Sequence, residues 1–146
     1  MSKSNAFETD FLTLVFNNTN IGNIGDATGL RGSSTAGSLY VALHTADPGE
    51  AGTQATSEAT YTSYARVAVA RSGAGWTVSG NAVSNAAAIT FPACTGGTNT
   101  ITHFSVGYES SGATKVLYKG ALSSSLVVST GITPEFATGD LDITED

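Results

Sequence analysis

Basic residues are the scarcest chemistry in this sequence. Only six lysines and arginines stand among 146 residues, at Lys3, Arg31, Arg66, Arg71, Lys115 and Lys119. They are scattered, and a net charge of −6 would oppose a phosphate backbone. Direct binding to nucleic acid is not expected. A single cysteine, Cys94, excludes an internal disulfide and a cysteine-based zinc site, and is compatible with folding in a reducing cytoplasm. Apolar runs of the roughly 20 residues that cross a bilayer are missing, so no membrane partner is expected. Glu8 and Asp10 interrupt any signal-type apolar stretch near the start. The expectation is a soluble protein, released by lysis or carried in a particle.

Small polar residues fill the place of the missing charge. Charged residues make up 12% of the chain, about half the usual share, while glycine alone contributes 17 residues. Aromatic residues and patterned apolar segments argue against disorder. Ser4 is placed to cap a helix over residues 5–17, with Phe7, Phe11, Leu14 and Val15 on one face and Glu8 near its positive end. Leu12 and Phe16 widen that stripe, so the helix must dock on its own sheet or on a neighbouring subunit. Residues 18–38 are punctuated too densely by Gly, Asn, Ser and Thr for a regular element. They read as an extended arm lying across another surface, with Ile21, Ile24 and Leu30 as candidate partner-binding pegs.

From residue 39 the pattern turns to strands. "SLYVALHT" and "YARVAVARS" alternate, Trp76 to Val78 offers a strand, and "SGN" a turn. Further strands are expected at residues 87–91, at residues 100–108, in "TKVLYKGALSS", in "SLVVSTG" and in "DLDITED". Turn signals arrive at the spacing of a sandwich. The fold class read from this is all-β: an antiparallel β-sandwich or jelly-roll-like domain over residues 39–146, preceded by a helix and arm over residues 1–38.

The stretch richest in candidate chemistry is "LHTADPGEAG", residues 43–52, which gathers His44, Asp47 and Glu50. A two-histidine metal site would need His103, and no spacing demands that meeting. Asp-Pro-Gly is turn chemistry, so a strand end and turn is the preferred reading. No serine lies in a Gly-x-Ser-x-Gly elbow. Cys94 reads as a buried small side chain rather than a nucleophile. "GSSTAGS" lacks the Gly-Lys-Ser/Thr ending of a phosphate loop. The acids of residues 140–146 could join a calcium site, but a solvated, charged edge strand is the commoner use. Trp76 and Tyr108 could stack on sugar or serve as core aromatics. The expectation is therefore no catalytic, metal or cofactor-binding residue and no cofactor. A hydrolase using His44 or His103 stands as the remote alternative.

"LHTADPGEAG", "YTSYARVAV" (residues 61–69), "AAAITFP" (86–92), "ITHFSVG" (101–107) and "ITPEFATGDLDI" (132–143) together carry a resemblance. In that order they resemble a family of small tailed-bacteriophage virion proteins, often labelled tail-fibre proteins. Similar small sandwiches serve as trimeric cement proteins on capsids. The resemblance implies a structural virion protein, assembled in the host cytoplasm, with no catalytic residues. Two readings follow. The first is a capsid decoration protein, a homotrimer that bridges subunits of the major capsid protein. It is favoured by the lack of a shaft-like repeat. The alternative is a tail-fibre or receptor-binding module contacting the host surface.

Overall fold

A computed structural model describes residues 2–145. In chain order the elements are α1 (Asn5–Asn17), β1 (Ser38–His44), β2 (Val67–Ala70), β3 (Trp76–Ser79), β4 (Ala82–Asn85), β5 (Ile89–Thr90), β6 (Thr98–Gly107), β7 (Tyr118–Ser129), β8 (Glu135–Phe136) and β9 (Asp142–Thr144). The molecule is mostly β, built of antiparallel sheets with one short N-terminal helix. One sheet has the order β2-β1-β6-β7, a second β3-β4-β9, and a third pairs β5 with β8. The chain groups into two compact units. The first takes Met1–Ser38, Val69–Ala88 and Phe136–Asp146, and the second Leu39–Ala68 and Ile89–Glu135.

In the first unit, helix α1 begins where expected. Ser4 Oγ accepts a hydrogen bond from the Phe7 amide at 3.4 Å, and Asn18 ends the helix in the left-handed region. The buried face differs from the expected one. Glu8, Leu12 and Phe16 are buried, whereas Phe7 is 36% exposed. The turn of about 100° per residue puts Leu12 and Phe16 on one line, and that line packs on β3 and β4. Phe16 meets Trp76 edge to face with ring centroids 4.9 Å apart. This contact fixes the helix rotation, because it buries two large rings at once.

Arg71 closes the other end of the helix. Its Nε donates to Val15 O and its Nη2 to Leu14 O, both at 2.7 Å. Those carbonyls lie in the last turn, where helix carbonyls lack intrahelical donors and the dipole is negative. Nη1 donates to Ala36 O at 3.2 Å, so one guanidinium ties the helix end to the segment preceding β1.

That segment carries a local backbone bridge. Ile21 and Leu30 exchange backbone hydrogen bonds of 2.9 Å, doubling the chain back into a closed loop. Asp26 Oδ1 accepts from the amides of Thr28 and Gly29 within it, which is why the loop turns there.

Strands β3 and β4 form a hairpin in which Ser79 pairs with Ala82. Gly80 takes φ +60 at the first of the two turn positions, the geometry that tight hairpins require. Sequence patterning missed β4, because "NAVSN" is too polar to stand out. It placed a strand at residues 87–91 instead, where only the two residues of β5 pair. The acidic segment near the end becomes β9, an edge strand on β4, as expected. Asp146 lies outside the described residues.

In the second unit, β1 sits between β2 and β6 and is buried along most of its length. Strands β1 and β6 run in antiparallel register with Leu43 opposite Phe104 and His44 opposite His103. The two strands expected in "TKVLYKGALSS" and "SLVVSTG" are one strand, β7, with an irregular middle. Ile101 pairs with Leu126 and His103 with Ala121, so Thr102 alone faces residues 122–125. The triple-serine stretch lies in this irregularity of a continuous edge strand.

Candidate functional site

The residues of "LHTADPGEAG" part company in the structure. His44, the last residue of β1, has no exposed surface. Its Nδ1 lies 2.9 Å from Thr56 O, and its Nε2 lies 2.7 Å from Ser105 Oγ. A carbonyl can only accept, so Nδ1 carries the proton and Nε2 accepts from the Ser105 hydroxyl. Burial pushes the His44 pKa below its ordinary value, keeping the ring neutral. Asp47 instead caps the turn, accepting from the Gly49 amide at 2.8 Å. Lys119 reaches both Asp47 and Glu50 at 3.1 Å. The turn reading therefore holds, and the three residues do not converge.

What does converge is a chain of polar side chains that the sequence did not single out. Ser105 Oγ also accepts from Gln54 Nε2 at 3.3 Å, and the same amide donates to Tyr40 O at 3.0 Å. Gln54 Oε1 accepts from Arg66 Nη1 and Thr114 Oγ1, each at 3.3 Å. Arg66 then grips Glu58 with two parallel bonds, Nε to Oε1 at 2.7 Å and Nη2 to Oε2 at 2.8 Å. Tyr64 OH donates to Glu58 Oε1 at 3.1 Å while accepting from the Leu43 amide at 3.0 Å. Each buried group thus finds partners, which is the condition for such a network to rigidify rather than destabilise. The bond to Glu58 raises the Arg66 pKa, and burial raises that of the Tyr64 phenol.

Local sequence explains the space this network occupies. A Cβ at Gly107, the end of β6, would run into the Gln54 carboxamide, so only glycine leaves that side chain room. The signal in the sequence was faint: one glycine after the alternating "ITHFSV", and a glutamine, a glutamate and an arginine in loops. No local pattern marks such residues as neighbours, because strand pairing brings them together from distant positions.

At its outer end the network opens on a cleft of about 300 Å³. Glu58, Tyr64, Arg66, Ser110, Ser111 and Gly112 line it. The Glu58 side chain is 18% exposed, while that of Arg66 is 1% exposed. The inner end is sealed. A serine hydroxyl on a histidine imidazole is the geometry of nucleophilic catalysis, yet Ser105 and His44 both have no accessible surface. A substrate cannot reach them, and the pair serves the core.

The remaining candidates resolve one by one. His103 Nδ1 lies 2.9 Å from Thr102 Oγ1, and the two histidines face each other across β1 and β6. Among the described residues no group of three His, Cys, Asp or Glu side chains is placed to hold a metal ion. Cys94 is buried, with its Sγ 3.3 Å from Gly96 O. Trp76 is fully buried in the first unit, so it cannot stack on a sugar, whereas Tyr108 is 46% exposed. Of the expected partner pegs, Ile21 is buried, while Ile24 and Leu30 are 40% and 43% exposed. No helix among the described residues is long and apolar enough to cross a membrane.

Comparison with known families supplies what this geometry alone does not. Residues 2–144 match the model of the family described as podophage GP4 fiber I protein gp80. The chain belongs to that family. It is therefore a phage structural protein and a virion component, and the family is non-enzymatic. No curated protein matches the chain. Membership in the gp80 family agrees with the sealed Ser105–His44 pair, which has the atoms of a catalytic dyad without the access.

Proposed function

We propose that this protein is a tail-fibre component that contacts the host surface, rather than a capsid decoration protein. The observation that carries the reading is the family match across residues 2–144, whose description is that of a fibre protein. It reverses the order of the two readings drawn from the resemblance, since the lack of a shaft-like repeat argues only against a long shaft. A compact β module at a fibre end needs no repeat.

The physical properties support this role. A densely satisfied polar network makes the second unit rigid, and rigid scaffolds present loops at low entropic cost. Sparse charge and exposed apolar positions such as Ile24, Leu30 and Val127 suit close packing on other virion subunits. Homotrimer formation belongs to the same proposal, and the mass of the purified chain in solution tests it.

Immunogold labelling of intact phage with an antibody against this chain tests the location. Gold at the tail is the expected result. Gold spread over the heads would overturn the fibre reading and point to contact with the major capsid protein.

A further inference from the structure

We propose that the cleft beside Glu58 is a subsite for a neutral, hydroxyl-rich ligand, in chemical class a sugar of the host surface. The receptor role of this ligand rests on the fibre reading above; the existence of the subsite rests on the geometry that follows.

The ligand class comes from counting which polar groups at the cleft remain open. Arg66 has five N–H donors, and they are taken up by six acceptors: both Glu58 oxygens, Gly112 O, Glu109 O, Gln54 Oε1 and Thr114 Oγ1. No donor of this cation is left for a phosphate or carboxylate. Glu58 is in the opposite condition. A carboxylate offers roughly four acceptor positions. Arg66 Nε and Tyr64 OH occupy two on Oε1, and Arg66 Nη2 one on Oε2. One acceptor position on Oε2 stays open at a partly exposed side chain that its partners hold still.

Ser110 and Ser111, exposed in the connection between β6 and β7, line the same cleft. Neither hydroxyl has a hydrogen-bond partner among the described residues. Gly112 bends this connection with φ +87, a conformation that a residue with a Cβ adopts only under strain. Its carbonyl accepts from Arg66 Nη2 at 2.7 Å, which ties this connection to the buried guanidinium. Among the side chains of the described lining residues, the open set is thus one fixed carboxylate acceptor and two hydroxyls that both donate and accept. That set matches vicinal hydroxyls of a neutral sugar. An anionic sugar meets no free cation among the described lining residues and a protein of net charge −6. The volume, about 300 Å³, is at the lower end of small-ligand sites and suits one ring rather than an extended chain.

The test uses the full ¹⁵N-labelled chain, titrated with the methyl glycosides of glucose, galactose and N-acetylglucosamine, and separately with N-acetylneuraminic acid. Saturable amide shifts at Ala65, Ser111 and Gly112 are expected with at least one neutral glycoside, and none with the acid. The double variant Ser110→Ala, Ser111→Ala changes only exposed side chains and is expected to weaken binding by about tenfold or more. Glu58→Gln removes the fixed carboxylate and should abolish binding. If that variant fails to fold, the serine variant decides. No saturable shift with any neutral glycoside, undiminished binding by the serine variant, or tighter binding of the acid overturns the proposal. Gold over the heads with saturable glycoside shifts would remove the fibre reading and leave the subsite standing. Gold at the tail with no shifts would remove the subsite alone.

Discussion

Ser105 Oγ lies 2.7 Å from His44 Nε2 in a part of the second unit that solvent does not reach. The two residues come from β6 and β1, adjacent antiparallel strands, so the sheet itself sets the distance. Removing the hydroxyl with Ser105→Ala would leave Nε2 without a donor. An unpaired buried acceptor costs about 1–3 kcal/mol. Urea unfolding is expected to show a loss of that size, with no change in slope. A serine-directed fluorophosphonate is expected to leave the native protein unlabelled, and labelling of Ser105 would contradict the sealed geometry.

The same histidine predicts a pH dependence. Burial holds its folded pKa below the ordinary value of 6.5, so the unfolded chain takes up the proton first as pH falls. The stabilisation is complete above pH 6.5 and is lost progressively below it, down to the folded pKa, after which the curve flattens. Thr56, Glu58, Arg66 and His103 are the groups whose bonds or charges act on this ring, and the lowering by burial outweighs the raising by Thr56 and Glu58. Thermal midpoints measured from neutral to about pH 5 should fall, and His44→Gln should remove most of that slope. A flat profile in the parent chain would mean that His44 does not titrate on unfolding.

Gly107 and Gln54 form a second dependent pair. A methyl group at Gly107 would meet the Gln54 carboxamide, which is itself held by Ser105, Arg66 and Thr114 and cannot step aside. Gly107→Ala is expected to destabilise by about 1–3 kcal/mol, the usual cost of overpacking. Adding Gln54→Ala should recover part of the loss, and a double-mutant cycle reads the coupling. Strict additivity would show that the clash is relieved elsewhere.

Lys119 supplies the opposite case. Its bonds to Asp47 and Glu50 raise its pKa, yet the cluster is surface-exposed, with Glu50 at 93%. Solvent and salt screen such pairs, and many contribute nothing measurable. Lys119→Ala should leave the thermal midpoint unchanged at physiological salt. A clear drop would mean that the "ADPGE" turn bears more structural weight than its exposure suggests.

How much of this was legible beforehand follows from the range of each interaction. The Ser4 cap, the Gly80 turn, the Asp47 turn and the β1 alternation are set by residues a few positions apart, and local pattern found them. Helix α1 was located but rotated wrongly: Phe7 and Phe11 look as apolar as Leu12 and Phe16, and only Trp76, sixty positions on, decides which pair is buried. The Glu58–Arg66 cleft was invisible for the same reason. Its serines come from a connection more than forty residues away, and a lone glutamate and arginine eight apart carry no local signature.

Arg71 holds the end of that helix by a bidentate grip that lysine cannot reproduce. Its planar fork aims Nε and Nη2 at Val15 O and Leu14 O together, whereas an ammonium is a point charge on a flexible stem. Arg71→Lys should therefore keep the charge near the negative helix end and still fray the last turn. Hydrogen exchange is expected to accelerate at the amides of residues 14–17 in Arg71→Lys, and further in Arg71→Ala. Exchange on β6 should change little if the loss stays local. Because the chain has a single tryptophan, fully buried against Phe16, its emission offers an independent reading. Fraying confined to the last turn leaves emission blue-shifted. A red shift in Arg71→Lys would mean that the guanidinium also sets the helix rotation, and would make Arg71 the residue that holds the Phe16–Trp76 contact in place.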